Sequence, residues 1–381
     1  MPKLHGRRFS PGRLAPVKGK VHIDGVRYAL DFLTQPRSEL ARPTAAGKVE
    51  CLACAHRCKL APGARGVCLV RFRQEDALRV PWGYTAGVAV DPIEKKPFFH
   101  LLPGAKALSF GMLGCDMKCA YCQNWFTSQS LRDQAASQEA VPTSPEALVA
   151  AARRLGCPVI TSTYNEPLIT AEWAHDVFAL AKEEGIVGTF VSNGHATPEV
   201  LDYLADVLAG YKVDLKSFSH ENYRRLGGKL DAVKETIRLV WERGIWCEVV
   251  TLVVPGFNDS DHELAAMAEF LVSVSPDIPW HLTAFHPDYK MTDPPRTSAA
   301  TLIRACGIGR QAGLRFVYAG NLPGQVEPWE HTHCPTCGTV LVTRWGFTVL
   351  ENRLTAQGSC PRCHHSIPGR WRAPVPAPHA H

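Results

Sequence analysis

Hydrophobic and polar positions between residues 105 and 325 fall into a regular alternation of two patterns. Short apolar runs bounded by turn residues predict strands, and the longer amphipathic stretches between them predict helices. The predicted strands cover residues 107–112, 158–163, 187–192, 211–215, 247–254, 281–285 and 315–318. Ser144 and Pro145 predict the start of a helix that ends at residue 155, and further helices are predicted at 171–184, 198–208, 230–243, 260–274 and 298–312.

Alternating strands and helices of these lengths are typical of an α/β fold with parallel strands and helical crossovers. Six or more such units in this stretch predict a partial (β/α)6 TIM-like barrel. An open doubly wound sheet is the alternative, and periodicity does not distinguish the two. The sequence divides into a basic segment (1–50), a Cys-rich segment (51–104), the barrel (105–325), a small C-terminal zinc ribbon (328–371) and a tail rich in Pro and Ala (372–381) that we expect to be disordered.

The composition is that of a soluble globular protein, because 45% of the 381 residues are hydrophobic and 20% are charged. No stretch approaches the ~20 apolar residues that cross a bilayer, so we expect no membrane span. The first 23 residues contain no acid but also no apolar core, which argues against a secretory signal. The net charge of +6 belongs to residues 1–50, which hold ten Lys or Arg and four Asp or Glu. The rest of the chain is balanced, and this argues against a protein built to bind phosphate backbones.

The fourteen cysteines are unevenly distributed. Eleven of them form three groups at short spacings, and such grouping without an export signal is typical of metal ligands in a reducing compartment. We therefore expect a cytoplasmic location. The groups are Cys51, Cys54, Cys58 and Cys68; Cys115, Cys119 and Cys122; and Cys334, Cys337, Cys360 and Cys363.

The second group follows directly after the first predicted strand of the barrel. Cys115, Cys119 and Cys122 have the spacing C-x3-C-x2-C, and three thiolates on one loop can hold three irons of a 4Fe–4S cluster. The fourth iron then stays open for chemistry. A structural zinc site needs a fourth ligand, and the nearest histidine, His100, precedes the strand.

With Tyr121 before the last cysteine and the barrel pattern downstream, this loop resembles the signature of the radical S-adenosylmethionine (SAM) enzymes. The resemblance implies a 4Fe–4S cluster and SAM as cofactors. It also implies an electron donor such as flavodoxin or ferredoxin. A loop of reduced thiols or a zinc loop is the alternative reading of the cysteines.

The resemblance also implies which residues contact SAM or the substrate. Most of these positions fall at carboxyl ends of predicted strands, the face on which barrel active sites lie. The sequence departs from the related glycyl-radical activating enzymes, because no pair of glycines precedes Glu166 and Val191 stands where they have Asp. The candidate residues are Tyr121, Asn165, Glu166, Ser192, Asn193, Asp214, Lys216 and His286.

Residues 50–325 resemble one branch more closely, the radical SAM component of the AmmeMemoRadiSam system. The likeness rests on the first cysteine group and on the segment from Phe285 to Met291. It implies a Memo-like protein and a third small protein as partners. It does not identify a substrate.

The remaining cysteine groups predict further metal sites. Four thiolates from Cys51 to Cys68 can bind a second iron–sulfur cluster or zinc. The two C-P-x-C knuckles at Cys334 and Cys360, separated by two predicted hairpin strands at 340–345 and 347–350, predict a zinc ribbon. We expect this ribbon to stabilise the fold rather than to recognise a ligand, since no strongly basic stripe lies near it.

The sequence therefore favours a radical SAM enzyme whose 5′-deoxyadenosyl radical abstracts hydrogen from an unidentified substrate, which the resemblance suggests is a partner protein. Activation of a glycyl-radical enzyme is the first alternative. A zinc-ribbon protein that binds nucleic acid through its basic N-terminal arm and a redox scaffold that stores iron are alternatives of other classes.

Overall fold

Residues 29–373 are described by a computed structural model. Residues 1–28 of the basic segment and residues 374–381 of the predicted disordered tail lie outside this range. Within residues 29–373, no helix is long and apolar enough to cross a membrane.

The N-terminal part of the chain forms small antiparallel sheets, and it precedes the strands of a larger sheet in the sequence. Three strands pair in the order β1–β6–β5, and three others pair in the order β2–β3–β4. The strands are β1 (Thr34–Arg37), β2 (Ala41–Pro43), β3 (Val49–Cys51), β4 (Lys59–Leu60), β5 (Phe72–Gln74), β6 (Ala77–Pro81), β7 (Tyr84–Thr85) and β8 (Gly87–Pro92). A 3-10 turn at Ile93–Lys95 follows β8.

The central sheet alternates with helices along the chain. Its strands and the short strand β10, which pairs with β7, are β9 (Lys106–Gly111), β10 (Val141–Pro142), β11 (Val159–Ser162), β12 (Val187–Ser192), β13 (Leu208–Asp214), β14 (Trp246–Val253), β15 (Trp280–Ala284) and β16 (Val317–Gly320). The helices are α1 (Trp125–Ser128), α2 (Pro145–Leu155), α3 (Ala171–Glu183), α4 (Pro198–Leu204), α5 (His220–Leu226), α6 (Leu230–Glu242), α7 (Asp261–Val274) and α8 (Ala299–Ala312), with a 3-10 turn at Pro167–Thr170 before α3.

The strand order in the central sheet is β8–β9–β11–β12–β13–β14–β15–β16. The seven strands from β9 to β16 are parallel, and β8 pairs with β9 antiparallel at one edge. Parallel strands that follow one another along the chain lie side by side in this sheet. In a doubly wound sheet, by contrast, the strand order reverses at a switch point. The fold is therefore α/β with one direction of winding, and its seven parallel strands correspond to the seven strands that the sequence predicted.

Local signals set the helix boundaries where the sequence predicted them. The Ser144 hydroxyl accepts a hydrogen bond from the Ala147 N–H at 3.2 Å, and Pro145 occupies the first turn of α2. Gly156 ends this helix in the left-handed conformation, with φ of 64°. The helix predicted at 198–208 is shorter, because Leu208 begins β13. The short helices α1 and α5 were not predicted.

A buried ion pair fixes the Cys-rich segment to the central sheet. The Arg71 guanidinium donates two hydrogen bonds of 2.6 Å to the Glu172 carboxylate at the start of α3, and both side chains are almost completely buried. Bidentate geometry of this kind holds an arginine and a carboxylate in one orientation. The segment therefore packs on the sheet as part of one core.

The C-terminal part forms a three-stranded antiparallel sheet of β17 (Thr332–His333), β18 (Val340–Trp345) and β19 (Thr348–Asn352). Its apolar core includes Leu341 and Val342, which cluster with Phe99, Phe316 and Tyr318 of the central unit. Phe316 directly precedes β16, so this small sheet packs at the amino ends of the parallel strands. It lies at the end of the sheet opposite to the carboxyl ends.

Candidate active site

Three cysteines lie on the loop that follows β9. Cys119 is buried, whereas Cys115 and Cys122 are partly exposed. The Met117 N–H donates to Cys115 Sγ at 3.4 Å, and the Ser128 hydroxyl lies 3.1 Å from Cys122 Sγ. The loop therefore supplies hydrogen bonds of the kind that stabilise thiolates.

Loops from later units hold this loop in place. The Lys118 N–H donates to the Leu226 carbonyl oxygen at 2.9 Å, at the end of α5. The Lys290 N–H donates to the Ala120 carbonyl oxygen at 2.9 Å, and Lys290 lies in the loop after β15. The cysteine loop is thus fixed from two sides, which favours a defined position of its three sulfur atoms.

The donor set of Cys115, Cys119 and Cys122 fits an iron–sulfur cluster better than a single ion. Among residues 29–373, these three Sγ atoms do not form a group within 4.8 Å, whereas a tetrahedral ion with bonds of about 2.3 Å brings its sulfurs to about 3.8 Å. Burial raises the pKa of all three thiols, that of Cys119 to about 12. Metal coordination offsets this cost because it stabilises the thiolate.

A cleft of about 510 Å³, counted with the part open to solvent, borders the three cysteines. Its polar lining comes from the carboxyl ends of β9, β11, β12 and β13 and the loops that follow them, the face on which barrel active sites lie. The predicted residues that line it are Asn165, Glu166, Ser192, Asn193, Asp214 and Lys216.

Glu166 is a buried acceptor at the base of this cleft. Its Oε1 accepts hydrogen bonds from the Ser192 hydroxyl at 2.7 Å and from the Leu168 N–H at 3.1 Å, and its Oε2 accepts one from the Asn193 N–H at 2.8 Å. A carboxylate has about four acceptor positions, so one position on Oε2 stays open. Burial and the nearby charge of Asp116 raise the pKa of Glu166 to about 8.

The turn after β12 presents Ser192 and Asn193 to Glu166. Gly194 closes this turn with φ of +74°, and a Cβ atom there would lie 2.5 Å from Val213 Cγ1. Both the backbone conformation and the close approach to β13 therefore require glycine. The Asn193 side chain donates to Asp116 Oδ1 at 2.7 Å, which connects the turn to the cysteine loop.

Charged side chains at the end of β13 form the opposite wall. Asp214 accepts hydrogen bonds from Lys212 and, at 3.0 Å, from Lys216 Nζ. Burial opposes the ionisation of Asp214, but the charges of the two lysines outweigh it and hold its pKa at about 2. Lys216 lies on the cleft side, so this wall presents a carboxylate and an ammonium group together.

Tyr164 lines the cleft in a strained backbone conformation, with φ of +69°. Its carbonyl oxygen accepts a hydrogen bond of 2.6 Å from the Thr127 hydroxyl, and its own hydroxyl donates to Asp91 Oδ2 at 3.2 Å. Strain of this kind persists where the surroundings fix the backbone, and it is common at functional sites. The sequence pattern did not single out Tyr164, since a positive φ at a tyrosine has no composition signal.

Two predicted contact residues lie outside the lining of the cleft. Tyr121 is buried behind the cysteine loop, with its ring 5.8 Å from that of Phe257. His286 lies at the rim, where its Nε2 is 3.2 Å from Gln123 Nε2. Tyr121 therefore packs beneath the cysteine loop, and His286 lies at the outer edge of this loop.

The first cysteine group lies beside the cysteine loop. A Cβ atom added at Gly66 would lie 3.5 Å from Cys58 Sγ and 3.7 Å from Cys68 Sγ, so these two sulfurs face the same point. The four sulfurs from Cys51 to Cys68 do not come within 4.8 Å of one another as a group in the described part of the chain. Their spacing is wider than that around one zinc ion.

Asp116 and His195, which the sequence patterns did not indicate, join this region to the turn after β12. His195 Nδ1 lies 3.0 Å from Asp116 Oδ2, and His56 Nε2 lies 3.2 Å from the Asp116 carbonyl oxygen. Asp116 follows Cys115 and His195 follows Gly194, so proximity to predicted residues was the only signal available.

The sulfur atoms of the last cysteine group are as close together as the ligands of a single metal ion. Cys334 Sγ lies 3.5 Å from Cys363 Sγ, and Cys337 Sγ lies 3.6 Å from Cys360 Sγ. All four sulfurs lie within 4.8 Å of one another. Tetrahedral zinc with bonds of about 2.3 Å requires about 3.8 Å between sulfurs, so these residues fit a zinc ion.

This chain is similar to several known proteins. Residues 111–270 match the Radical SAM superfamily. Uncharacterized protein MJ0808 of Methanocaldococcus jannaschii is 36% identical over 323 residues, which span 84% of this chain and 95% of that protein. Pyruvate formate-lyase 1-activating enzyme of Escherichia coli K12 is 25% identical over 230 residues, which span 57% of this chain and 93% of that enzyme. A radical SAM methyltransferase from Sphaerobacter thermophilus aligns with a TM-score of 0.45 and 16% identity over 81% of each chain.

The superfamily match includes Cys115, Cys119 and Cys122, and it extends past the carboxyl ends of β11, β12 and β13, where Glu166, Ser192 and Asp214 lie. The match to MJ0808 extends over nearly the whole of both proteins. This chain is an enzyme of the radical SAM superfamily, and it belongs to the same family as the Methanocaldococcus jannaschii protein MJ0808.

Proposed function

We propose that this enzyme generates a 5′-deoxyadenosyl radical and uses it to abstract hydrogen from a partner protein. When bound, the 4Fe–4S cluster supplies the electron that cleaves SAM. Cys115, Cys119 and Cys122 would hold the cluster through three thiolates. The cleft residues bind and orient SAM beside it.

One observation carries this proposal: the three thiolates border a cleft that also holds two carboxylates, one of them buried, and a lysine. SAM has an ammonium group, a sulfonium group and a carboxylate. Glu166 keeps an open acceptor position for the ammonium, and Lys216 offers a cation for the carboxylate. Above the pKa of Glu166, the cleft therefore offers a negative group to the ammonium and a positive group to the carboxylate.

Other residues of the cleft act by holding these groups. Ser192 and Asn193 donate hydrogen bonds that orient the Glu166 carboxylate, and Asp214 anchors the Lys216 ammonium at 3.0 Å. Asn165 accepts the Met112 N–H at 3.0 Å through its Oδ1, which fixes the end of β9 before the cysteine loop. Such preorganisation keeps the reacting atoms of the bound molecule in place.

The rim beside the cleft supports a macromolecular substrate. Trp125 of α1 stacks on Phe126 with 3.8 Å between ring centroids and on Tyr289 with 5.0 Å between centroids. The Phe126 side chain is 48% exposed. Aromatic side chains are enriched at protein interfaces. The Memo-like protein of the AmmeMemoRadiSam system is our first candidate substrate or partner, with the third small protein of that system as a second.

Several finer assignments belong to the same proposal. The strand order supports a partial TIM-like barrel, and the four converging sulfurs support a zinc ribbon. All fourteen cysteines are free thiols, which supports a reducing, cytoplasmic location. A flavodoxin or a ferredoxin is the electron donor that this chemistry requires.

Activation of a glycyl-radical enzyme is the second candidate function. The observation that favours it is the similarity to pyruvate formate-lyase 1-activating enzyme of Escherichia coli, 25% identical over 93% of that enzyme. Val191 and the residues before Glu166 differ from the activase pattern described above, so we rank it second.

The chemistry is tested by anaerobic reconstitution with iron and sulfide, followed by reduction with dithionite in the presence of SAM. We expect 5′-deoxyadenosine from the wild type and from Cys157→Ala, a matched control because Cys157 is buried outside the three cysteine groups. Cys119→Ala should form none, since it removes one of three ligands. Full production by Cys119→Ala would refute the cluster assignment.

The substrate is tested with a Memo-like protein uniformly labelled with deuterium. Abstraction from that protein transfers deuterium to 5′-deoxyadenosine, which mass spectrometry detects as heavier product. Unlabelled 5′-deoxyadenosine formed at the same rate with and without the protein would exclude it as a substrate. A glycyl-radical signal in electron paramagnetic resonance, seen with a glycyl-radical protein instead, would establish the activase function.

A further inference from the structure

We propose that Cys54, Asp116 and His195 form a separate mononuclear site for a divalent metal ion, zinc or ferrous iron, beside the cysteine loop. Cys54 Sγ, a carboxylate oxygen of Asp116 and a ring nitrogen of His195 lie within 4.8 Å of one another. The three residues come from the Cys-rich segment, the loop after β9 and the turn after β12. The site lies next to the cysteine loop but uses none of its three cysteines.

All three side chains are removed from water. The residues Cys54, Asp116 and His195 are 7%, 1% and 0% exposed, respectively. Buried polar groups cost free energy unless they find a partner. A thiolate and a carboxylate together carry two negative charges, and a divalent ion neutralises both. The composition of the cluster therefore explains how these groups are accommodated in the interior.

His195 faces the other two donors through its Nδ1 atom, which lies 3.0 Å from Asp116 Oδ2. Zinc bonds of about 2.0–2.2 Å to nitrogen and oxygen place two such ligands roughly 3.3 Å apart. The spacing of these two atoms therefore fits a pair of ligands on one ion.

The donor types select the class of metal. One sulfur, one oxygen and one nitrogen suit zinc and ferrous iron, whereas calcium and magnesium prefer oxygen alone. His56 stays outside this donor set, because its Nε2 lies 3.2 Å from the Asp116 carbonyl oxygen. The three donors leave one position of a tetrahedral site for a water molecule.

The competing assignment keeps Cys54 with Cys51, Cys58 and Cys68 in a second iron–sulfur cluster. The two assignments differ in which neighbours matter. Metal binding by a mixed site depends on Asp116 and His195 and does not depend on Cys51 and Cys58. Binding of a cluster depends on the four cysteines and does not depend on the Asp116 carboxylate or the His195 imidazole.

The test is the metal content of full-length variants, each purified without oxygen and analysed for zinc and iron. We expect Cys54→Ser, Asp116→Asn and His195→Ala to lose the same single equivalent, about one ion per chain. Cys51→Ser and Cys58→Ser should retain it. Which element is lost distinguishes zinc from ferrous iron.

Glu248 and His281 provide a matched control pair. They form a buried carboxylate–imidazole contact of 2.7 Å near the amino ends of β14 and β15, away from the cysteines. Glu248→Gln and His281→Ala should lose no metal. Full metal content in Asp116→Asn and His195→Ala, or the same loss in Cys51→Ser and Cys58→Ser, would overturn the proposal.

A second measurement applies if the variants fail to fold. The full-length Cys360→Ser chain, whose ribbon lacks one ligand, is depleted of metal and titrated with cobalt(II). Cobalt bound by Cys54, Asp116 and His195 should give the charge-transfer absorbance of one thiolate per ion. The absorbance of four thiolates, or no cobalt binding outside the ribbon, would overturn the mixed site.

Discussion

The Glu166→Gln substitution removes one negative charge from the cleft while it keeps the size of the side chain. Glu166 is expected to accept a hydrogen bond from the SAM ammonium at the open position of Oε2. Hydrogen bonds to charged groups contribute about 1.5–3 kcal/mol. At about 1.4 kcal/mol per tenfold change, the variant should bind SAM about ten- to a hundredfold more weakly.

The substitution also affects folding. In the wild type, Glu166 accepts the Leu168 N–H on one oxygen and the Asn193 N–H on the other. An amide nitrogen in either position faces a backbone donor, so one N–H loses its acceptor at a cost of about 1–3 kcal/mol in the free energy of unfolding.

This stability difference depends on pH. The folded-state pKa of Glu166, about 8, is raised from 4.5 by burial first and by Asp116 second. A carboxyl with a raised pKa contributes stability below its unfolded pKa and loses it as the pH rises through the folded pKa. The gap between wild type and Glu166→Gln should therefore be largest below pH 4.5 and smallest above pH 8.

The assay is calorimetric titration of cluster-loaded protein with SAM, carried out above the Glu166 pKa of about 8. Glu248→Gln is the matched control, because Glu248 is also a buried carboxylate that accepts backbone N–H groups but lies near the amino end of β14. It should lose stability and keep its SAM affinity. Unchanged SAM affinity in Glu166→Gln, with intact cluster absorbance, would refute the role of Glu166.

Three further substitutions test other parts of the molecule. Cys360→Ser should lose about one zinc per chain and keep the iron of the cysteine loop, and unchanged zinc in metal analysis would contradict a zinc ribbon. Arg71→Leu leaves the buried Glu172 carboxylate unpaired and should cost about 3–5 kcal/mol in urea unfolding, whereas a much smaller loss would mean that water reaches this carboxylate. Ser144→Ala removes the cap of α2 and should cost about 0.5–2 kcal/mol without a change in SAM affinity; Ser144→Thr, which keeps a hydroxyl, is its control.

Local patterns predicted the elements that local physics determines. The apolar run at 187–192 corresponds to β12 (Val187–Ser192), and the capping signal at Ser144 corresponds to the start of α2. The end of α4 was predicted incorrectly because Val207 and Leu208 continue the apolar spacing of the helix. Both are buried, but Leu208 pairs as the first residue of β13. Tertiary pairing therefore decided this boundary.

In the candidate site, too, the sequence predicted only the features that depend on residues close together in the chain. Cys115, Cys119 and Cys122 lie together in the sequence, so their spacing predicted them as metal ligands. Asp116 and Asn193 are separated by 77 residues, and their hydrogen bond depends on how two loops meet at the end of the sheet. Similarly, His195 reaches Asp116 across 79 residues. Contacts of this range leave no pattern in a single sequence.

The C-terminal sheet shares its apolar core with the central unit, so the boundary near residue 328 is a boundary in sequence and not in packing. Phe99, Phe316 and Tyr318 pack against Leu341 and Val342. A chain truncated before residue 328 would leave those aromatic rings uncovered, and the isolated C-terminal piece would lack half of its core. Because residues 332–352 are synthesised after the central sheet, the amino ends of the parallel strands stay uncovered until the C-terminal sheet has folded against them.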